Sequence, residues 1–440
     1  MNLKTLPVML LAVSCLGVGV ASAETLDQAL ADAWRNNPQL LAARAGQSAA
    51  QSDVRAAKGG WYPKLALTGG VGRDSTSGMI TFFNPPENFD ANLQQSSIAL
   101  RLDQPIYQGG RLSAKISAAE NDASASHAMT HAHESQILLQ AVAAYLGVIE
   151  AEKLLAIQDE NVGVIHKQLD AAKQSLAHGE GTRTDVAQAD SRLQAAIASR
   201  IRTNSMLAQA RAHYRTVIGH EPGTLSVPPT LPSMPANLAA AEALAGHNYN
   251  VVAARFNAQA ASARADEASS AVWPKIGLFA EVRRENQPQY GFNRLDDRII
   301  GLSISIPIWE GGSLRAKTSA AKERAREADL DARATEEDAR DNVVAAWQNY
   351  TAAEASLTAI KAQLDAARIA YDGVRDEHRQ GERTLLDVLN ADQEIRNAQA
   401  ALIEATRDRI VAGYALLAAT GELSAATLSL PVADANGQNP

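Results

Sequence analysis

The sequence predicts a mainly α fold with a smaller β part, built as a tandem duplication. Three observations predict it. Gly179, Glu180, Thr182, Asp185, Val186, Ala189 and Asp190 recur as Gly381, Glu382, Thr384, Asp387, Val388, Ala391 and Asp392, each 202 positions later. Apolar residues flanking each copy repeat every seven positions, the period of packed helices. Two pairs of short segments alternate apolar with small or charged residues, the period of a strand. Each half therefore reads as a strand pair leading into a long antiparallel helical hairpin, with the repeated signature at its sharp turn.

The chain opens with Lys4, an apolar run from Leu6 to Val20 and the small residues Ala21, Ser22 and Ala23, so 1–23 is read as a secretory signal peptide cut before Glu24. The run is short for an uncleaved anchor, which needs about 20 residues. Cys15, the single cysteine, lies inside it, and Ala12 is a poor lipoprotein signal. The exported chain then has no cysteine for disulfides or thiolate metal sites. Losing Lys4 takes the formal charge from −8 to −9, which argues against a nucleic-acid partner. No later stretch reads as a membrane-crossing helix, which leaves open a β-barrel.

The first repeat is expected over 24–221. Residues 25–58 are helical in pattern, interrupted at Asn36-Asn37-Pro38 and ended by Gly59-Gly60. A strand over about 64–73 sets Leu65, Leu67 and Val71 against Ala66, Thr68, Gly70 and Gly72, and a polar loop from Asp74 to about Gln95 follows. A second strand over about 97–106 sets Ile98, Leu100 and Leu102 against Ala99, Arg101 and Asp103, and Pro105 and Gly109-Gly110 close it. This alternation suits a transmembrane barrel strand and a soluble sheet equally.

A long helix over about 112–178 contains no proline, and its seam runs Leu155, Val162, Leu169, Leu176. The return helix over about 183–218 carries Val186, Leu193, Leu207 and Tyr214, with Arg200 the exception, beside Ala189, Ala196 and Ala210. Alanine on the seam lets the backbones approach closely. Residues 222–237 form a proline-rich linker.

The second repeat is expected over 238–423, with a helical stretch 238–270, strands over about 275–283 and 299–308 separated by a polar loop, a long helix over about 313–379 and a return helix over about 384–420. Its seam is Leu357, Leu364, Tyr371 and then the polar His378, facing Val388, Ile395 and Leu402. Residues 424–440 read as a tail. In the first half the early and return helices together nearly match the long helix in length, so two short helices stacked end to end can lie beside one long one. Four strands cannot close; a membrane barrel needs at least about eight, so several chains would have to share one.

The chain resembles the TolC-type outer-membrane efflux and secretion channels over nearly all its mature length. The resemblance rests on the two Gly-…-Thr-x-x-Asp-Val turns (Gly179 to Val186, Gly381 to Val388), on Pro105 to Gly110 and Pro307 to Gly312 after the strands, and on Asn36, Asn37, Pro38 and Leu40. It implies long helical hairpins forming a periplasmic helical barrel, plus a transmembrane β-barrel shared at four strands per chain. It also implies a homotrimer with twelve strands in outer-membrane lipid, docked through a periplasmic adaptor (membrane fusion) protein to an inner-membrane ABC or RND-type transporter, with no cofactor. The linker between Pro222 and Pro235 and the short tail look more like the protein-secretion and general-purpose members.

At the turns, Thr182-x-x-Asp185 and Thr384-x-x-Asp387 are capping boxes, and Gly179 and Gly381 supply the left-handed turn residue. Capping by itself accounts for these residue types and is compatible with a further role. The resemblance implies that Arg383 matches a gating arginine, Asp387 an aperture carboxylate, and Asp185 and Thr184 first-half positions that pair across the tip. Two residues depart from the family pattern. His378 stands where a phenol would pair with Asp185, and Asn390 replaces a second aperture carboxylate.

Other chemistry finds little footing. His127 and His131 share a helix face near Glu134, but His133 is off it and no zinc-protease order exists. No nucleophile–base motif or phosphate loop occurs, so no enzyme is expected. A competing class is a periplasmic coiled-coil adaptor or scaffold without its own pore. An adaptor normally has one hairpin between β-rich domains, and a scaffold needs no alternating strands; membrane fractionation separates both from a channel.

Overall fold

The computed structural model describes residues 23–80, 87–227, 231–289 and 292–431. The expected signal segment with Cys15, and residues 432–440 of the expected tail, lie outside them. Each half is built around a long helix, α3 (Arg111–Ala177) and α7 (Ser313–Arg379), each 67 residues and so about 100 Å long. Each folds back on a 36-residue return helix, α4 (Arg183–Ile218) and α8 (Leu385–Thr420).

Two short helices complete the columns. α1 (Leu26–Asn36) and α2 (Pro38–Lys58) meet at Asn37, and Pro38 takes the first helical position, where its missing N–H is not needed. In the second half, α5 (Leu238–Leu244) and α6 (Tyr249–Ser269) are separated by a 3₁₀ turn over Ala245–His247 and by Asn248. The expected unbroken helical stretch 238–270 is therefore interrupted. No proline marks this break; Asn248 makes it by capping.

The two asparagines do the same work. Asn37 Oδ1 accepts from Gln39 N at 2.9 Å while its Nδ2 donates to Val217 O at 3.0 Å. Asn248 Oδ1 accepts from Asn250 N at 2.9 Å while its Nδ2 donates to Ala419 O at 2.9 Å. Each side chain thus caps the start of one helix and the end of the next, satisfying free groups on both. α2 with α4, and α6 with α8, form two jointed columns beside the unbroken α3 and α7.

The strands are β1 (Lys64–Ile80), β2 (Glu87–Tyr107), β3 (Lys275–Gln289) and β4 (Phe292–Ser305), all antiparallel in the order β1-β2-β3-β4. They run far beyond the expected limits. The supposed polar loop from Asp74 to Gln95 is mostly ladder, with Arg73 opposite Gln94 and Ser77 opposite Asp90. Residues 73–77 are polar throughout, and the short alternation of Phe89, Ala91 and Leu93 follows a proline-containing stretch, so a periodicity reading passes over the ladder. β4 likewise starts earlier and stops at Ser305 rather than at Ile308.

Register puts one chemistry on each face. Leu65–Leu102–Ala280–Ile300 and Leu67–Leu100–Val282 are cross-strand rows of one face, the second ending at Arg298, where the apolar band stops. Leu65, Leu67, Ile300 and Leu302 on that face are 59–77% exposed. The other face carries Arg101 opposite Glu281, paired at 3.0 Å, with Asp103, Arg283 and Glu285 near them. Trp61, Tyr62, Tyr107, Trp273 and Trp309 are exposed where strands meet helices. β1 and β4 are the sheet's edges. Gly109 turns the chain from sheet to α3 with φ +62°, and a Cβ there would lie 2.3 Å from Trp273 Cβ.

The main core sits at mid-height, where Leu138, Val142, Tyr145 and Val148 of α3 meet Leu30 of α1, Tyr214 and Ile218 of α4 and Leu417 of α8. The start of the chain is stitched to the expected linker, Glu24 N donating to Thr224 O at 2.8 Å and Ser226 N to Glu24 O at 3.0 Å. Tyr145 Oη lies 2.7 Å from Glu24 O and 2.6 Å from Ser226 O. The expected tail is likewise packed as far as Leu430: Leu423, Ala425 and Leu430 are core residues, and Ala425 N donates to the buried Glu134 at 2.7 Å.

Candidate functional site

The turns at the ends of the hairpins repeat the same local chemistry. In the first, Gly179 has φ +80° and donates its N–H to Leu176 O at 3.1 Å. Thr182 then caps α4: Asp185 N donates to Thr182 Oγ1 at 3.1 Å and Thr182 N to Asp185 Oδ2 at 2.9 Å. In the second, Gly381 has φ +82°, Asp387 N donates to Thr384 Oγ1 at 3.3 Å, and Thr384 N donates to Asp387 Oδ2 at 3.0 Å. The capping boxes expected from sequence are present in both. Each threonine, through its hydroxyl and then its N–H, holds the aspartate carboxyl below the usual carboxylate range.

The second tip carries more. Arg383 Nε donates to Glu377 Oε2 at 2.8 Å, tying the turn back to the last helical turn of α7. His378 Nδ1 lies 2.8 Å from Arg383 O; a carbonyl only accepts, so this nitrogen carries the proton. Asp392 pairs with the buried Arg396 at 2.9 Å, and the first-half counterpart of Arg396 is Gln194. Arg383 itself corresponds to Gly181, where a Cβ would meet Leu176 N at 3.0 Å. A side chain there would press on the backbone of the preceding turn, so the glycine suits the first tip.

The sequence-stated pairings are rearranged by this geometry. His378 and Asp185 are not brought together in one chain: His378 is held by Arg383 O and Asp185 by Thr182. Within the chain each has a short-range partner, five and three residues away, which engages His378 Nδ1 and Asp185 Oδ2. Thr184 is exposed on the first turn of α4. Asn390 Oδ1 accepts from Arg192 Nη2 at 3.1 Å, the contact that joins the two hairpins near their tips. Arg192 and Glu377 were missed in the sequence, since nothing in a helix period marks a long polar side chain that reaches another column.

Along the hairpins, Leu169, Leu193, Leu207, Tyr214, Leu357, Leu364 and Val388 are buried seam residues. Arg200, the seam exception, pairs with Asp159 of α3. His127 and His131 of α3 serve packing, their ring centroids 4.7 Å apart. His131 stacks on Tyr249 with ring centroids 5.0 Å apart and lies 3.3 Å from Glu134, which also accepts from Ala425 N. Among the described residues no helix is long and apolar enough to cross a membrane.

Comparison with known proteins gives this geometry its context. The family described as "Outer membrane efflux protein" matches residues 29–220 and 240–422, one match per half. The chain is 33% identical over 430 residues to the outer membrane efflux protein BepC of Brucella suis biovar 1, covering 97% of this chain and 91% of that one. It is 25% identical over 425 residues to the proteases secretion protein PrtF of Dickeya chrysanthemi, covering 90% and 88%. Among solved structures, the outer membrane protein VceC of Vibrio cholerae superposes with TM-score 0.76 at 22% identity, covering 90% of this chain and 96% of that one.

Proposed function

The chain belongs to the outer membrane efflux protein family and is an outer-membrane export channel protein, and we propose that three copies form one conduit serving both small molecules and secreted proteins. The sheet carries this reading. It is open, with free edges at β1 and β4, an exposed apolar face and a charged face opposite. Three sheets joined edge to edge give twelve strands, enough to close, with the apolar rows toward lipid and Arg101, Asp103 and Glu281 toward the lumen. The apolar rows from Ile276 to Val282 span about 20 Å at about 3.3 Å per residue, and the aromatic residues at their base suit the membrane interface. Relatives named for efflux and for protease secretion both align along nearly the whole chain, which favours a shared exit.

The hairpins then form the periplasmic tunnel, and their tips its entrance. Three Asp387 carboxylates around one axis make a negative focus that favours cations. Arg383 keeps the entrance narrow by holding its own turn folded against Glu377 through a charge-assisted bond. His378 supports that turn, while Asp185, Thr184 and Asn390 face the neighbouring hairpins. The tips dock a periplasmic adaptor that links the conduit to an inner-membrane transporter. The signal peptide through Ala23 directs export.

Single-channel recording in planar bilayers tests this. The wild-type protein is expected to show a small cation-selective conductance, Arg383→Ser a larger one, and Asp387→Asn weaker cation selectivity. An unchanged closed-state conductance in Arg383→Ser removes that residue from the entrance. A chain that stays soluble without detergent on fractionation removes the channel.

A further inference from the structure

Far from the tips, at the mid-height core, three side chains from separate elements converge. Glu24 precedes α1, Asp32 lies on α1, and His220 follows the glycine that ends α4. Their nearest donor atoms, Glu24 Oε1, Asp32 Oδ2 and His220 Nε2, all lie within 4.8 Å of one another. Nε2 is 3.6 Å from Glu24 Oε1 and 3.5 Å from Asp32 Oδ2. These separations are too long for hydrogen bonds. They match the donor–donor spacing around a tetrahedral ion: bonds of about 2.0–2.2 Å place neighbouring ligands roughly 3.3–3.6 Å apart.

The surrounding bonds prepare the same atoms as ligands. His220 Nδ1 is 3.0 Å from Glu221 O, a pure acceptor, so Nδ1 carries a proton and Nε2 is the ring atom aimed at the two carboxylates. Three atoms that all hold lone pairs converge here, and a positive charge between them, a metal ion or a proton, satisfies them together. Tyr214 Oη donates to Glu24 Oε1 at 2.5 Å, fixing that carboxylate. A backbone carbonyl orienting the imidazole and a hydroxyl orienting the carboxylate are the outer contacts that tune bound metals. Arg35 takes the other oxygen of Asp32 at 3.6 Å, leaving Oδ2 to face His220. The side chains are 17% (Glu24), 36% (Asp32) and 40% (His220) exposed, so an ion has access.

We propose that Glu24, Asp32 and His220 form a binding site for one divalent transition cation of the zinc class, water completing its shell. Imidazole with carboxylates suits zinc better than magnesium or calcium, which prefer all-oxygen shells. Such an ion ties the start of the chain and α1 to the residue that follows α4.

The test uses the mature, tag-free full chain in detergent, freed of metal by chelation and titrated with Zn²⁺ by calorimetry and thermal unfolding. One Zn²⁺ per chain and a raised unfolding temperature are expected. His220→Ala and Asp32→Asn are each expected to weaken binding at least about tenfold and to abolish the thermal shift. Both variants must keep the wild-type circular dichroism; His220→Gln serves if His220→Ala does not. Equal zinc binding by wild type and His220 variants overturns the proposal. So does a wild-type thermal shift absent with zinc but present when pH falls through the imidazole range, which assigns the cluster to an imidazolium held by Glu24 and Asp32 beside Tyr214, Arg35 and Glu221.

Discussion

The helices α3 and α7 have the same length and opposite surroundings. α3 is packed by α1, α2, α4, α6 and α8, and twenty-odd of its residues are buried; α7 meets α5, α6 and α8, and only Ala332, Ala339, Val343, Leu357 and Leu364 are buried. Leu330 and Ile369 of α7 are 53% and 77% exposed. Duplication supplied two equal helices, and the attachments of the first half made one the centre of the chain and left the other at its rim. α3 is stabilised within the chain. α7 leaves an outer face exposed, the face that the proposed trimer would cover.

The largest expected effect is in the core. Tyr145 is fully buried, and its counterpart 202 positions on, Trp347, is only partly buried. Tyr145→Ala is expected to cost about 3–5 kcal/mol and Trp347→Ala clearly less, read as denaturant midpoints of one detergent preparation. Equal losses would mean that the rim helix is as closed as the central one. At the tips the halves should instead agree: Thr182→Ala and Thr384→Ala each remove one cap, about 1 kcal/mol of local stability, visible as faster amide exchange in the first turns of α4 and α8. A change confined to one tip would end the equivalence of the caps.

The same caps set a pH dependence. Both aspartate carboxyls are depressed in the folded state, so their contribution is present above the unfolded value, about 3.9, and fades as pH falls through the lower folded value. Exchange protection at both tips, corrected for intrinsic rates, is expected to hold from neutral pH down to about 5 and to be lost below about 4. The smallest effect is on the seam. Arg200→Leu exchanges an exposed ion pair with Asp159 for a regular apolar repeat and should shift stability by no more than about 1 kcal/mol, measured as an unfolding temperature.

How much of this was legible followed from range. Helix ends at Gly179, Gly219, Gly381 and Gly421 were plain, since a left-handed glycine leaves a local mark. The capping boxes were plain for the same reason. The length of β1 and β2 was not, because Arg73 to Ser77 is polar throughout and the alternating Phe89, Ala91 and Leu93 follow a proline-containing stretch that reads as a loop. The interruption at Asn248 was hidden in an alanine-rich stretch whose signal, a side chain reaching Ala419, is 171 residues away. At the tips the capping residues were legible and the longer-range partners were not. Arg383 to Glu377 and Asn390 to Arg192 depend on how long side chains turn after the backbone is placed.

The asparagine joints bear on mechanics. A push or twist applied at the tips would travel toward the sheet by four routes in each chain. Along α3 and α7 it passes through continuous backbone. Along the other two it must cross Asn37 or Asn248, where a few hydrogen bonds stand in for a covalent helix. Torque on the lower rods can therefore relax at two fixed hinges at mid-height, and the wall embedded in lipid need not turn when the entrance does.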